Sequence, residues 1–94
     1  MTQQLIIESY FSLPTDLAGE MSNWPEFVSG EGYSVDLKDS STGVAVTVRL
    51  MEENESFYVT IDSPVTSQLF DQVAGRVINA LAAKSDCLMV RKGS

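Results

Sequence analysis

The sequence predicts an α+β fold: a two-layer sandwich in the order β-α-β-β-β-α-β, with a mainly antiparallel sheet and both helices on one face. Three observations carry that expectation. Three successive segments alternate apolar and polar residues with a period of two, as a sheet buried on one side only requires. The stretch after Pro64 instead repeats its apolar residues at helical spacing. The chain has 94 residues, 44% of them hydrophobic and spread along its length. That is about the size of one domain and enough to bury a core without disulfides or metal. Residues 1–94 therefore read as a single domain, with no repeat, linker or low-complexity stretch.

The first strand is expected over Leu5 to Ser12, where β-formers run without a breaker. Leu5, Ile7 and Phe11 fall on one face, and Ile6, Glu8 and Tyr10 on the other. Pro14 stops it and suits the first turn of a helix. Leu13, Leu17, Met21 and Trp24 mark that helix at near-helical spacing, with Asp16 and Glu20 towards its N-terminal half. Gly19 weakens it, and Pro25 ends it by pushing Trp24 out of the α region. A loop containing Gly30 and Gly32 follows.

The meander is the clearest pattern. Tyr33, Val35 and Leu37 alternate with Ser34, Asp36 and Lys38. The turn Asp39-Ser40-Ser41-Thr42-Gly43 leads to Val44, Val46, Val48 and Leu50, alternating with Ala45, Thr47 and Arg49. The polar turn Glu52-Glu53-Asn54-Glu55 leads to Phe57, Val59 and Ile61, alternating with Tyr58, Thr60 and Asp62. With tight turns, Thr47 would lie between Asp36 and Thr60, and Arg49 near Ser34 and Tyr58. Asp62 and Lys38 would flank Ala45. Asp62 or Ser63 would cap the second helix, with Pro64 in its first turn. Its apolar stripe is Val65, Leu69, Val73, Val77 and Leu81, widened by Phe70, Ala74 and Ile78. Cys87 to Val90 reads as a last short strand, with Arg91 to Ser94 frayed. A first strand beside the second would make the first helix a right-handed crossover between parallel neighbours.

The strand–helix–three-strand–helix order resembles the layout of double-stranded-RNA-binding and ribosome-hibernation domains. That resemblance implies a basic binding surface, which this chain lacks, and topology alone transfers no function.

Composition excludes more than it selects. There is no histidine and one cysteine, and thirteen acidic residues stand against six basic ones, a net charge of −7. Without histidine, the usual proton shuttle and commonest metal ligand are missing. The acidity disfavours phosphate backbones and anionic membranes, both of which are held by Lys and Arg. The N-terminal Met-Thr-Gln-Gln has neither the basic nor the apolar region of a signal peptide, and no apolar run approaches the length of a membrane span. The expectation is a cytoplasmic protein without membrane or direct nucleic-acid partners.

No cofactor, metal or catalytic constellation is read. Glu52-Glu53-Asn54-Glu55 lacks the spacing of a calcium loop, and Gly30-Glu31-Gly32 lacks the third glycine and basic residue of a phosphate loop. Cys87, flanked by Leu88 and Met89, reads as a buried, unreactive thiol. What remains is a set of partner-binding candidates. No basic residue precedes Lys38, so Asp16, Glu20, Glu26 and Glu31 are expected to form an acidic surface around the first helix. Trp24, the only tryptophan, closes that helix as a candidate aromatic anchor. Arg49 and Tyr58 mark the uncovered sheet face. The expected function is a small non-enzymatic interaction module (an adaptor, immunity protein, inhibitor or secretion-type chaperone) engaging a protein partner, with the acidity favouring a basic one. It would be a monomer or a weak homodimer joined through the sheet. The alternatives are a small-ligand or carboxylate-based catalytic domain, and a nucleic-acid mimic.

Overall fold

A computed structural model of the chain describes residues 3–9, 17–31, 34–53, 56–65, 67–83 and 87–93. Its elements are β1 (Gln3–Ser9), α1 (Leu17–Met21), β2 (Phe27–Glu31), β3 (Ser34–Lys38), β4 (Ala45–Glu53), β5 (Ser56–Ser63), α2 (Gln68–Ala82) and β6 (Leu88–Lys92). The six strands form one sheet in the order β2-β3-β4-β5-β1-β6. Every ladder is antiparallel.

The α+β class and the meander are present, and four expectations are corrected. First, β1 lies between β5 and β6, not beside the second strand, so no parallel crossover exists. Leu5 and Ile7 pair with Ile61 and Val59 on one side and with Lys92 and Val90 on the other. A strand with consecutive apolar residues, here Leu5, Ile6 and Ile7, suits an interior position, where neighbours flank it on both sides. Second, Phe27–Glu31 is a strand where a loop was expected. An irregularity between Phe27 and Ser29 shifts its register and breaks the period of two. Third, Arg91 and Lys92 are not frayed but continue β6, opposite Ile6 and Leu5. Fourth, α2 starts later than expected. Ser63 remains in β5 opposite Gln3, and Ser67 is the cap, its Oγ accepting a hydrogen bond from Phe70 N at 3.1 Å.

The expected β3–β4 register is observed, with Asp36 opposite Thr47 and Ser34 opposite Arg49. The β4–β5 register differs by two residues: Thr47 faces Asp62 and Arg49 faces Thr60. The ladder runs on to Glu53 opposite Ser56, into residues expected to form the turn. Between β3 and β4, Asp39 Oδ1 accepts from Ser41 N at 2.8 Å and from Ser41 Oγ at 2.7 Å. Gly43 closes this turn at φ +77°, a left-handed conformation that favours glycine. The expected positions of Tyr10, Phe11, Leu13, Pro14, Asp16, Gly32, Tyr33, Asn54 and Glu55 lie outside the described residues.

Register and burial separate two sheet faces. Ile7, Val35, Leu37, Val46, Val48, Leu50, Val59 and Ile61 are buried on one. They share a cluster with Leu17 and Met21 of α1 and with Leu69, Phe70, Val73, Ala74, Val77 and Leu81 of α2. The α1 contacts fall on β3, and those of α2 on β5 and β1. Each fully buried Val, Leu or Ile contributes about 1.5–3 kcal/mol, so this cluster is the main source of stability. The opposite, polar face carries Gln4, Ile6, Glu8, Asp36, Thr47, Arg49, Met51, Tyr58, Thr60, Asp62, Met89 and Arg91, placed by the same registers.

Candidate functional site

The sequence-derived candidates fall into two separate groups. Arg49 and Tyr58 lie on the polar sheet face. Arg49 is exposed between Ser34 and Thr60, while Tyr58 is half-buried between Met51 and Glu8. The Tyr58 hydroxyl donates to Glu8 Oε1 at 3.3 Å. Met89 follows Glu8 on the next strand, so the row runs Met51, Tyr58, Glu8, Met89 across four strands. Met51 is 48% exposed and Met89 49%. The neighbouring row carries Arg49, Thr60, Ile6 and Arg91.

Further along the same face, carboxylates are held by short polar side chains. Asp36 accepts from Thr47 Oγ1 at 2.9 Å and from Ser29 Oγ at 3.4 Å. Asp62 Oδ1 accepts from Gln4 Nε2 at 2.7 Å. Asp62 Oδ2 is buried and has no hydrogen-bond partner among the described residues. Its missing partner is a local weakness, since an unsatisfied buried acceptor carries a desolvation penalty.

Trp24, Glu26 and Glu20 belong to the other group, where the chain leaves α1 and enters β2. Successive backbone bonds, Trp24 N to Met21 O and Phe27 N to Trp24 O, each 3.1 Å, carry it through two tight turns. Trp24 is not a free anchor: it packs against the core cluster, with the Arg76 guanidinium 5.1 Å from its ring centroid. Arg76 Nη1 also donates to Glu26 Oε1 at 2.9 Å. That hydrogen bond holds the Glu26 carboxyl below the ordinary glutamate range, against the opposing effect of burial. The expected acidic surface is thus interrupted by Arg76 from α2, and Lys38, whose backbone N–H donates to Glu26 O at 2.8 Å, lies beside it. Arg91 and Lys92 lie on the far edge of the sheet. Glu20 is exposed. Asp16 and the side chain of Glu31 lie outside what is described.

Arg76 was missed because nothing local connects it to residues fifty positions away. The only available signal was its place beside Val73 and Val77, on the border of the apolar stripe. Cys87 is corrected: it is exposed, because it precedes β6 instead of lying within it. Asp39 lies below the ordinary aspartate range because the Ser41 hydroxyl and backbone N–H donate to it.

Two shallow hollows are described. One, of about 410 Å3, is lined by Ser29, Gly30, Ser34 and Asp36. The other, of about 150 Å3, includes Glu26, Lys38, Asp39 and Gln72. Neither is an apolar cleft with convergent polar groups of the kind that small-molecule sites use. Among the described residues, no group of three Cys, Asp or Glu side chains is placed to hold a metal. None of their helices is long and apolar enough to cross a membrane. Comparison of the chain with protein-family models, curated proteins and solved structures gives no match.

Proposed function

We propose that the protein is a small, non-enzymatic interaction module of the cytoplasm that engages a protein partner across the polar face of its sheet. In this reading both helices form one layer over the buried face, which leaves the polar face for the partner. The observation that supports it best is the row Met51, Tyr58, Glu8, Met89 bordered by Arg49 and Arg91. Met, Tyr and Arg are enriched at the centres of protein interfaces. Here they stand on paired strands, whose rigidity lowers the ordering cost of binding. The net charge of −7 steers a basic partner towards the molecule. Of the acidic candidates, Glu20 and Glu26 add to this steering charge. Trp24 packs against the core and takes no part in it, and Asp16 and the Glu31 side chain lie outside the described residues.

Affinity capture by wild-type protein and by the exposed-residue variants Met51→Lys and Met89→Lys tests it. The expected result is a stoichiometric protein partner retained by the wild type and lost at least tenfold with both variants. Equal retention by all three proteins, or no retained protein, counts against the reading.

A further inference from the structure

The two ends of the sheet order, β2 and β6, are its edges. Natural proteins blunt such edges, because unpaired backbone groups template the addition of another strand. The β2 edge is blunted by its register shift between Phe27 and Ser29. The β6 ladder has no such irregularity: Leu88 to Lys92 pair with Ser9 to Leu5 in unbroken register.

The phase of β6 follows from one hydrogen bond. Gly93 N donates to Gln4 O at 3.0 Å. In an antiparallel ladder, hydrogen-bonded and non-hydrogen-bonded pairs alternate. Arg91 with Ile6 and Met89 with Glu8 are therefore hydrogen-bonded pairs. Leu88, Val90 and Lys92 then turn their N–H and C=O groups outward. Among the described residues, nothing pairs with that side of β6. Val90 is 45% exposed, and Arg91 and Lys92 are exposed with no ion pair among the described residues.

Charge selects what this edge accepts. Arg91 and Lys92 are two of only six basic residues in the chain, and they sit side by side on the edge strand. An antiparallel β6–β6 pairing centred on Val90 would set Arg91 and Lys92 opposite Met89 and Leu88 of the other copy, so a duplicate offers this edge no complementary charge. We propose that β6 is a site of β-strand addition for an extended acidic segment of a protein partner. An antiparallel guest strand places one residue opposite each β6 residue. Acids opposite Lys92 and Arg91, followed by apolar residues opposite Val90 and Met89, match both charge and exposure. The outward groups of Leu88, Val90 and Lys92 supply the backbone bonds, and side-chain register supplies specificity. This site shares Arg91 with the border of the polar face, so Val90→Pro, which lies in the phase of buried Ile7, is the variant that separates strand addition from binding across that face.

The probe is a fluorescently labelled peptide, Thr-Glu-Glu-Val-Val-Thr, with Thr-Lys-Lys-Val-Val-Thr as its counterpart. Binding is measured by anisotropy at low and at physiological salt. The acidic peptide is expected to bind and to weaken with salt, and the basic one to bind at least tenfold more weakly. Val90→Pro removes an outward N–H without touching the β1 ladder and is expected to lower affinity by about tenfold. Circular dichroism checks that this variant keeps its fold. The double variant Arg91→Glu/Lys92→Glu, which retains every backbone group, is expected to reverse the preference between the peptides. Equal binding of both peptides, no binding of the acidic one at millimolar concentration, or indifference to both variants overturns the proposal. So does sedimentation showing a wild-type oligomer that Val90→Pro dissolves, because the occupant would then be a second copy.

Discussion

The two edges of this sheet differ in how they are tied down. Behind β2 stand Phe27, packed against the core, and the neighbouring Trp24, with Arg76 reaching from α2 to both Trp24 and Glu26. At β6 only Leu88 reaches the core cluster, and the strand is held chiefly by its ladder to β1. The irregular edge is anchored by side chains and the regular edge by backbone. A strand paired in unbroken register presents its outward backbone groups at regular spacing, and such an edge can accept a guest.

The largest expected effect comes from the residue that joins β6 to the rest. Ile7 is fully buried and lies between Val59 and Val90. Ile7→Ala is expected to destabilise the fold by about 2–5 kcal/mol in urea denaturation. Hydrogen exchange should show β6 amides opening before those of β3. Simultaneous opening would erase the distinction between the edges.

Proline scanning sharpens the comparison. Met89→Pro removes an N–H that the register assigns to the β1 ladder and leaves Glu8 O without its donor. A loss of about 1–3 kcal/mol is expected, against less than about 1 kcal/mol for Val90→Pro. Equal losses in thermal unfolding would show that Met89 N–H does not face β1.

At the β2 end, Arg76→Ala removes a part-exposed ion pair and a cation–π contact together. A loss of about 1 kcal/mol is expected, with a shift in Trp24 fluorescence. The pH dependence follows from Glu26, whose folded-state carboxyl lies below its ordinary range. Its contribution is present above the unfolded value and is lost as pH falls through the folded one. The gap between wild type and Arg76→Ala should therefore narrow below the ordinary glutamate range. A gap constant down to pH 2 would assign the loss to the Trp24 contact instead. The smallest effect concerns no stability at all. Exposed Cys87 should react with a thiol reagent in the native protein at close to its unfolded rate, and strong protection would contradict its exposure.

The contrast between the edges also explains what was legible in the sequence. Central strands were readable because burial on one face forces Val46, Val48, Val59 and Ile61 into strict alternation. The edges were not. In β2, Gly30 and the irregularity before Ser29 destroy the alternation, and a Cβ at Gly30 would come within 3.3 Å of the Phe27 ring. In β6, exposed Arg91 and Lys92 look like a charged tail because half of their strand's pairing surface is solvent. The β4–β5 register was misplaced by two because Glu52 and Glu53 resemble a turn by composition while the ladder continues through them. Of the site candidates, Arg49 and Tyr58 were assigned to the correct face. The Trp24–Arg76–Glu26 group exists only through long-range packing, which no local pattern encodes.

The position of β1 bears on the order in which the molecule assembles. Of the six strands β1 is made first, yet its neighbours are β5, with Gln3 opposite Ser63, and β6, with Leu5 opposite Lys92. Each of these pairings must close a long loop, whereas β3, β4 and β5 meet through short hairpins. Loop-closure entropy therefore favours the meander as the early structure, with β1 inserting late between partners made after it. During synthesis the apolar residues Leu5, Ile6 and Ile7 must wait without a partner, which makes the N-terminal strand the segment most in need of protection from premature association.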